Sequence, residues 1–345
     1  MAFWKGLSKP IVGLAPMDGV TDQAMRFITA KYGQPAVIFT EFINVEHVAA
    51  KPQKLFNRFW FSAIERPIVA QLSGVTPNLF YQLAFVAAYL GFDGVDLNMG
   101  CPSRSITHRG GGAGLIGNQE LVKEIVFSVR RGLDDWEKGK KIETVVDGKI
   151  LLAAKATKER SSRVGIKTKK RQKPDLSIKT RPGIKKPIIK DWLGFLASLP
   201  VEAIILHGRV LSCGHSGPVD WPIVAQAAEI VHQEGKILLG NGGIKSFKEA
   251  KEITNQYRLD GVLIGRGAMG NPWVFDDKKP DKEERFLVMM DHVRYYLDLF
   301  GQDNFLDLRK HLAWYSKGFP GASKLRSRLV RVNCYADIER IIGQK

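Results

Sequence analysis

Short apolar runs recur along this chain, and most are separated by stretches with the spacing of an amphipathic helix. Eight of these runs are predicted strands, at residues 11–14, 37–39, 68–70, 94–97, 176–181, 203–206, 237–239 and 261–264. Strands that alternate with helices favour a parallel sheet. Eight such units within 345 residues predict an α/β protein of the (β/α)8 TIM-barrel class.

Polar or reactive side chains follow nearly every predicted strand. In strand order they are Met17, Glu41, Gln71, Asn98 with Cys101, Lys179, His207, Asn241 and Arg266. TIM-barrel enzymes build their active sites at the carboxyl ends of the strands. Packing alone does not explain so many polar strand ends, so we predict an active site at this end of the barrel.

Two glycine-rich turns follow the last two predicted strands. They are Gly-Asn-Gly-Gly at 240–243 and Gly-Arg-Gly at 265–267. Barrels commonly bind phosphate at these two positions through backbone N–H groups, which glycine leaves open to the ligand. The pair of turns predicts a phosphorylated cofactor.

Cys101 lies in a Gly-Cys-Pro turn directly after the fourth predicted strand. No base is adjacent in sequence to activate it as a nucleophile, since His108 follows only seven residues later. A thiol with an ordinary pKa of about 8.5 is mostly protonated at neutral pH. These features favour a general acid over a thiolate, and an inert buried thiol is the alternative.

Lys179 follows three residues of the fifth predicted strand, and His207 comes directly after the sixth. Lysine is rarely buried without a partner. For Lys179 that partner would be a phosphate, a carboxylate or a reduced flavin, and the alternative is an ion pair with Glu41 or Asp96. His207 is either a site residue or a hydrogen-bonded histidine of the core.

The formal net charge of +17 favours polyanionic partners, although a generally basic surface would give the same value. The three cysteines Cys101, Cys213 and Cys334 are scattered, which argues for a reducing cytoplasm. Cys213 lies near His215 but lacks further ligands, so we expect no metal. No apolar run reaches the roughly 18 residues of a membrane span, and we expect no membrane association.

Two segments depart from the strand–helix alternation. A basic insertion at about 133–175 contains ten Lys or Arg and one acidic residue between 149 and 173. It is predicted to be a solvated or disordered segment, or an arm that contacts nucleic acid. After a charged linker at 276–284, residues 285–345 predict a small all-helical domain with interleaved arginines and aromatics, among them Trp314 and Tyr315. Those two aromatics are either helix core or a base-stacking surface.

The chain resembles the tRNA-dihydrouridine synthases, flavin enzymes that reduce uridine in tRNA. The matching stretches run in order along the chain and include the Asn-Met-Gly-Cys-Pro turn at 98–102. The others lie at 14–22, 40–42, 71–74, 96–97, 179–181, 207–209, 240–243 and 264–267, with 309–326 similar to the family's tRNA-binding helices. The resemblance implies FMN bound in a catalytic barrel at 1–275, NADPH as reductant, tRNA as substrate, and RNA binding by 285–345.

The resemblance also implies roles for individual residues. Cys101 would protonate C5 of uracil while hydride reaches C6, and Asn98 and Arg181 would contact the substrate. The residues assigned to cofactor binding are Pro16, Met17, Asp18, Gln71, Lys179, His207, Asn241, Gly242, Gly243, Gly265 and Arg266. We expect a monomer.

The insertion at 133–175 is a departure from the family pattern, which usually passes from helix to strand within a few residues. A flavin barrel that reduces a small molecule, similar to dihydroorotate dehydrogenase, would explain the phosphate turns but not the charge. A non-catalytic RNA-binding protein would explain the charge but not Cys101 and Lys179 at strand ends.

Overall fold

The computed structural model of this chain describes residues 3–163, 171–276 and 278–343. Its strands are β1 (Ile11–Leu14), β2 (Ile38–Phe39), β3 (Ile43–Asn44), β4 (Ile68–Ser73), β5 (Gly94–Met99), β6 (Asp175–Thr180), β7 (Ala203–His207), β8 (Ile237–Asn241) and β9 (Gly261–Ile264). All pairings are parallel. β1 pairs with both β2 and β9, and β2 pairs with β4, which closes a ring of eight strands.

This closed parallel barrel confirms the predicted TIM-barrel fold. Each of the eight predicted strands is present, with small differences at the ends: β5 continues to Met99, and β6 stops at Thr180. The sequence did not predict β3, whose two residues pair with the end of β4. So short a strand carries no periodicity that a sequence could display.

Helices surround the barrel and form the carboxyl-terminal region. They are α1 (Phe3–Gly6), α2 (Gln23–Gly33), α3 (Val45–Ala50), α4 (Pro52–Leu55), α5 (Pro77–Leu90), α6 (Arg104–Thr107), α7 (Gln119–Glu137), α8 (Gly148–Arg163), α9 (Ile189–Ser198), α10 (Trp221–Gln233), α11 (Phe247–Gln256), α12 (Lys282–Phe300), α13 (Phe305–Tyr315), α14 (Ala322–Leu329) and α15 (Tyr335–Gly343). Short 3-10 turns lie at 56–59, 63–65, 112–115, 142–144, 211–213, 266–268, 272–275 and 302–304. None of the helices in the described residues is long and apolar enough to cross a membrane.

The strands are buried on both faces, because side chains alternate between the barrel interior and the helical layer. Ile11 contributes to the interior cluster, whereas its neighbours Val12 and Leu14 pack against the helices or loops outside. Trp4 of α1 is 1% exposed and joins the interior cluster, and its backbone N–H donates to the carboxylate of Asp175. The amino-terminal helix therefore seals the closed end of the barrel.

The basic insertion contains a docked helix, which corrects the expectation of a solvated or disordered segment for residues 148–163. Ile150, Ala154, Thr157 and Ser161 are buried and recur at the spacing of one helix face. This face of α8 packs on α5 and on the short helices between β3 and β4. Most of the lysines and arginines of α8 lie outside this stripe, so a high count of charges conceals an amphipathic helix. Residues 164–170 lie outside the described residues.

The carboxyl-terminal helices confirm the predicted helical region but share a core with the barrel. α12 begins at Lys282, inside the stretch predicted as a linker, with the side chain of Asp281 as its cap. The second core contains Trp273 and residues of α2 together with residues of α12–α15. Tyr315 belongs to this core and is hydrogen bonded to His292, so it is not a base-stacking surface.

A close contact between Asp22 and His311 joins the same helices to the start of α2. Asp22 caps α2 through the backbone N–H of Met25, and its other oxygen lies 2.9 Å from Nε2 of His311. Burial alone would raise the pKa of Asp22, but His311 and the cap hold that pKa well below its usual range. The carboxylate thus stays charged where the barrel meets the helical region.

Replacing a buried residue of α8 tests whether this helix is part of the fold. Ala154 is fully buried and Leu152 is 68% exposed. Ala154→Asp is expected to lower the free energy of unfolding by about 3 kcal/mol, because it places an unpaired charge in the core. Leu152→Asp carries the same loss of helix propensity and is expected to change it by about 0.5 kcal/mol or less. Urea unfolding measures both, and equal effects would contradict a docked α8.

Candidate active site

A chain of buried hydrogen bonds crosses three neighbouring strands at the open end of the barrel. The hydroxyl of Ser177 donates to Asp96 (2.7 Å), and the side-chain amide of Gln71 donates to the other oxygen of Asp96 (2.8 Å). The amide of Asn98 in turn donates to Gln71 Oε1 (3.0 Å). Burial raises the pKa of Asp96 to about 6, against the hydrogen bonds and the nearby Lys179. This polar chain reaches from β6 through β5 to β4 and back to the end of β5.

The chain of hydrogen bonds ends on the turn that carries Cys101. Oδ1 of Asn98 accepts from the backbone N–H groups of Gly100 (3.2 Å) and Cys101 (3.0 Å). On the other side, the carbonyl of Cys101 accepts from Ala113. Gly112 has a φ of +56°, and a Cβ there would lie 2.9 Å from the carbonyl oxygen of Cys101. Only glycine allows the backbone at residue 112 to come so close to this carbonyl. The turn of Cys101 is therefore held by Asn98 on one side and by the backbone of Ala113 on the other.

The surroundings of Cys101 keep its thiol protonated. Burial raises the pKa of Cys101, and the carboxylate of Asp18 adds to the rise. The backbone N–H of Ser103 and the charges of Arg181 and Lys179 oppose it without reversing it. The result is a thiol that holds a proton at neutral pH, which a general acid requires.

Lys179 on β6 lies near the turn that carries Cys101, because it is paired in register with Asn98 close to the end of β5. Burial and Arg181 lower the pKa of Lys179 to about 8, although Asp96 and Cys101 favour its charged form. Its ammonium forms no hydrogen bond or ion pair with Asp96, which is occupied by Gln71 and Ser177.

Glu41, the other partner considered for Lys179, accepts a hydrogen bond from the backbone of Gly19 (2.6 Å) and lies 3.9 Å from Arg58. Arg58 also pairs with Asp18 (2.9 Å). The ammonium of Lys179 therefore lies at the barrel mouth without a carboxylate partner among the described residues.

The loop after β1 forms one wall of the mouth. Thr21 holds it through two hydrogen bonds with the backbone of Met17. The sulfur of Met17 lies beside Gly265, where a Cβ would be 3.3 Å away. Met17 is thus placed next to the turn that follows β9.

The turn after β8 forms a cradle beside two buried nitrogens that lack partners. Gly242 and Gly243 have φ values of +130° and +74°, and a Cβ on Gly242 would lie 3.0 Å from Val219 and 3.4 Å from Nη1 of Arg209. That Nη1 and Nδ1 of His207 are buried and have no hydrogen-bond partner. Buried polar nitrogens without partners are costly, so their presence around an open backbone turn fits a polar ligand, such as the phosphate of a bound cofactor.

Several cations surround this cradle. Nε and Nη2 of Arg209 donate to the carbonyl of Gly217, and Arg266 donates to the carbonyl of His215. Burial, then Lys179 and the neighbouring arginines, hold the pKa of His207 far below its usual range, so its imidazole is neutral. Asn241 ties the turn to β9 by donating to the carbonyl of Leu263 (2.8 Å).

Arg181 is 1% exposed and directs its guanidinium at backbone carbonyls. Nε donates to Gly100 (2.7 Å), and Nη1 donates to Arg209 (3.1 Å), Val210 (3.3 Å) and Gly214 (2.9 Å). These contacts link the Cys101 turn to the loop after β7. They describe a positioning residue, and a substrate contact for Arg181 stays a prediction.

The structure adds site residues that the sequence reasoning left out. Arg209 follows His207 by two residues, and its basic side chain just past a strand end was the signal for it. Arg58 reaches Asp18 and the carbonyl of Phe42 from an irregular segment, where no pattern marked it. No cluster of His, Cys, Asp or Glu that could hold a metal occurs within the described ranges.

Curated proteins that are similar to this chain align with nearly its whole length. A probable tRNA-dihydrouridine synthase of Staphylococcus aureus (strain COL) is 28% identical over 355 residues, with 99% of this chain and 95% of the relative covered. The probable tRNA-dihydrouridine synthase 2 of Bacillus subtilis (strain 168) is 26% identical, with the same coverage. Among solved structures, morphinone reductase in complex with tetrahydroNAD is 13% identical and covers 80% of this chain and 90% of its own, at a TM-score of 0.41.

The family model described as dihydrouridine synthase matches residues 13–154 and 167–339. Only residues 155–166 between the two matched segments stay unmatched, a shorter stretch than the insertion at 133–175 expected from the sequence. The matched segments contain the Cys101 turn, Lys179 and the glycine cradle. This chain therefore belongs to the dihydrouridine synthase family.

Proposed function

We propose that this protein is a tRNA-dihydrouridine synthase that reduces the C5=C6 bond of uridine in tRNA, with FMN as cofactor and NADPH as reductant. The observation that supports it best is the placement of a protonated thiol, on the turn after β5, near the ammonium of Lys179 on the adjacent strand β6, which lacks a carboxylate partner among the described residues. Membership of the family and the names of the relatives give the substrate class.

The residues at the mouth fit FMN. Its phosphate would lie in the cradle of Gly242, Gly243 and Gly265, where Arg209 and Arg266 supply positive charge. The residues that would surround its ring are Pro16, Met17, Asp18, Gln71, Lys179 and His207. When bound, the flavin supplies the hydride for C6 of uracil. A cation near the ring favours the reduced anion, which is the role we propose for Lys179.

Cys101 would deliver the proton that completes the reduction. Hydride addition to C6 leaves carbanion character at C5, and the thiol gives its proton to that carbon as the thiolate forms. Arg181 and Lys179 would stabilise the thiolate, because both favour the charged form of Cys101. Asn98 fixes the turn through Oδ1. One hydrogen of its amide nitrogen is used by Gln71, and the second would donate a hydrogen bond to the uracil.

RNA binding would involve the helical region at 285–345, with 1–275 as the catalytic domain. Lys317, Lys324, Arg326 and Arg331 are exposed on or beside α13 and α14. A uridine within folded RNA must leave its stack to reach the barrel mouth, and phosphate contacts would supply the free energy. We further propose a cytoplasmic monomer without a metal, in keeping with three free cysteines.

Removing Arg209 tests the phosphate cradle. Arg209→Ala is expected to weaken FMN binding about tenfold or more, because charge-assisted hydrogen bonds contribute about 1.5–3 kcal/mol. Quenching of flavin fluorescence on binding to the apoprotein gives the dissociation constant. Arg131→Ala, on the outer surface of α7, is the matched control. An unchanged constant for Arg209→Ala would exclude a phosphate contact.

The lowered pKa of Lys179 predicts pH-dependent FMN binding. Its ammonium is charged below a pKa of about 8 and neutral above it. If the charge supports FMN binding, affinity is retained at pH 7 and lost as pH rises, by about tenfold at pH 9. Lys179→Arg stays charged and is expected to flatten this dependence between pH 7 and 9. A wild-type protein whose FMN affinity is equal at both pH values would contradict the role.

Replacing Cys101 separates chemistry from binding. Cys101→Ala is expected to slow product formation by about 10²- to 10⁴-fold, the usual contribution of a positioned general acid. FMN content and flavin reduction by NADPH should stay near wild type. Stopped-flow reduction by NADPH and reoxidation by tRNA are measured separately, with Cys213→Ala as the control. Reoxidation of Cys101→Ala by tRNA at the wild-type rate would mean that Cys101 is not the acid.

A further inference from the structure

A cavity lies at the closed end of the barrel, which is opposite the end that carries Cys101 and Lys179. Its volume is about 420 Å³. It is lined by residues that precede β4, β5 and β6, including Arg66, Asp93 and Lys173, so it opens at the amino ends of these strands. Small-ligand pockets commonly measure about 300–1,000 Å³. The cavity is therefore large enough for a ligand and is separate from the proposed flavin site.

Two aromatic rings form a rigid wall of this cavity. Tyr89 from the end of α5 and Trp136 from the end of α7 meet edge to face, with ring centroids 6.1 Å apart. Trp136 also packs edge to face on Phe85, inside the main core. Because these rings belong to long helices of the barrel, the cavity has a fixed wall and does not depend on a loop.

Positive charge dominates the lining. The cationic residues are Arg66, Lys140, Lys141, Lys158, Arg171 and Lys173, and the carboxylates are only Asp93 and Glu143. Both carboxylates are already engaged, Asp93 with Arg66 (2.7 Å) and Glu143 with Lys155 (2.5 Å). Lys140 and Lys173 are paired as well, with Asp135 (2.8 Å) and with Asp134 and Glu137, which lie outside the lining. Arg171 and Lys141 are lining cations without a carboxylate partner among the residues that the structure describes.

Arg171 and Lys158 contact uncharged groups of the cavity wall. Arg171 stacks on the face of Trp136 at 4.0 Å and donates to the carbonyl of Lys140. Lys158 donates to the carbonyl of Tyr89, and burial together with the charge of Arg66 lowers the pKa of Lys158 to about 8. Lys141 is exposed and has no carboxylate partner among the residues that the structure describes. A bound anion would give Arg171 and Lys141 a partner of opposite charge.

We propose that this cavity binds a ligand through a phosphate or pyrophosphate group, as in a free nucleotide. Arg171 and Lys141 would contact the phosphate oxygens, because guanidinium and ammonium groups donate charge-assisted hydrogen bonds to them. The site does not depend on the proposed uridine reduction. Lys158 lies within residues 155–166, which the family model leaves unmatched.

Calorimetric titration of the full-length protein tests this site. Excess FMN keeps the cradle at the barrel mouth occupied, and sodium chloride holds the ionic strength constant. The probes are inorganic pyrophosphate, ATP and a single-stranded RNA oligonucleotide without terminal phosphates. Pyrophosphate and ATP are expected to bind saturably at one site. Lys141→Ala and Arg171→Ala should each weaken that binding about tenfold.

Matched variants separate a built site from general attraction to a basic protein. Lys149→Ala removes an exposed lysine of α8 that does not line the cavity, and it should change the affinity less than twofold. Equal effects of Lys149→Ala and Lys141→Ala would overturn the proposal. Binding of RNA alone, with no uptake of millimolar pyrophosphate or ATP, would also overturn it. FMN affinity should be unchanged in all three variants, which keeps this test independent of the uridine reductase.

Discussion

Asp96 is a carboxylate in the barrel wall with no exposed surface. The arrangement of the residues at the open end of the barrel depends on the hydrogen bonds that this carboxylate accepts. Ser177 and Gln71 occupy its two oxygens, and Gln71 passes the connection to Asn98 and from there to the turn of Cys101. In a low dielectric, a member of such a chain cannot be removed without leaving its neighbour unpaired. The position of the thiol is thus set by a group that need not touch substrate.

The same physics explains which features the sequence could reveal. Parallel strands are buried on both faces, so they appear as continuous apolar runs, and all eight were visible. Polar residues near the carboxyl ends of the strands, such as Lys179 and His207, had to lie at one end of the barrel. Arg209 also lies just after a strand, but it was not predicted as a site residue. These features depend on local sequence alone.

Features that depend on tertiary contacts could not be predicted. The guanidinium of Arg181 meets carbonyls from two separate loops, and Arg58 meets Asp18 from a segment forty residues away. The unpaired nitrogens of His207 and Arg209 exist only because the fold buries them together. The helix α8 was not predicted for a different reason. Its buried residues recur at helical spacing in the sequence, but the charged residues around them are more numerous.

The closure of the barrel has a consequence for how the chain is made. β1 pairs along its whole length with β9, and Trp4 of the sealing helix bonds to Asp175, 171 residues later. During synthesis on a ribosome, the edge of β1 that pairs with β9 stays unpaired until about three quarters of the chain has emerged. An unpaired strand edge is a template for pairing with other chains. The nascent protein is therefore most exposed to misassembly at its oldest end, where a chaperone would have the most to protect.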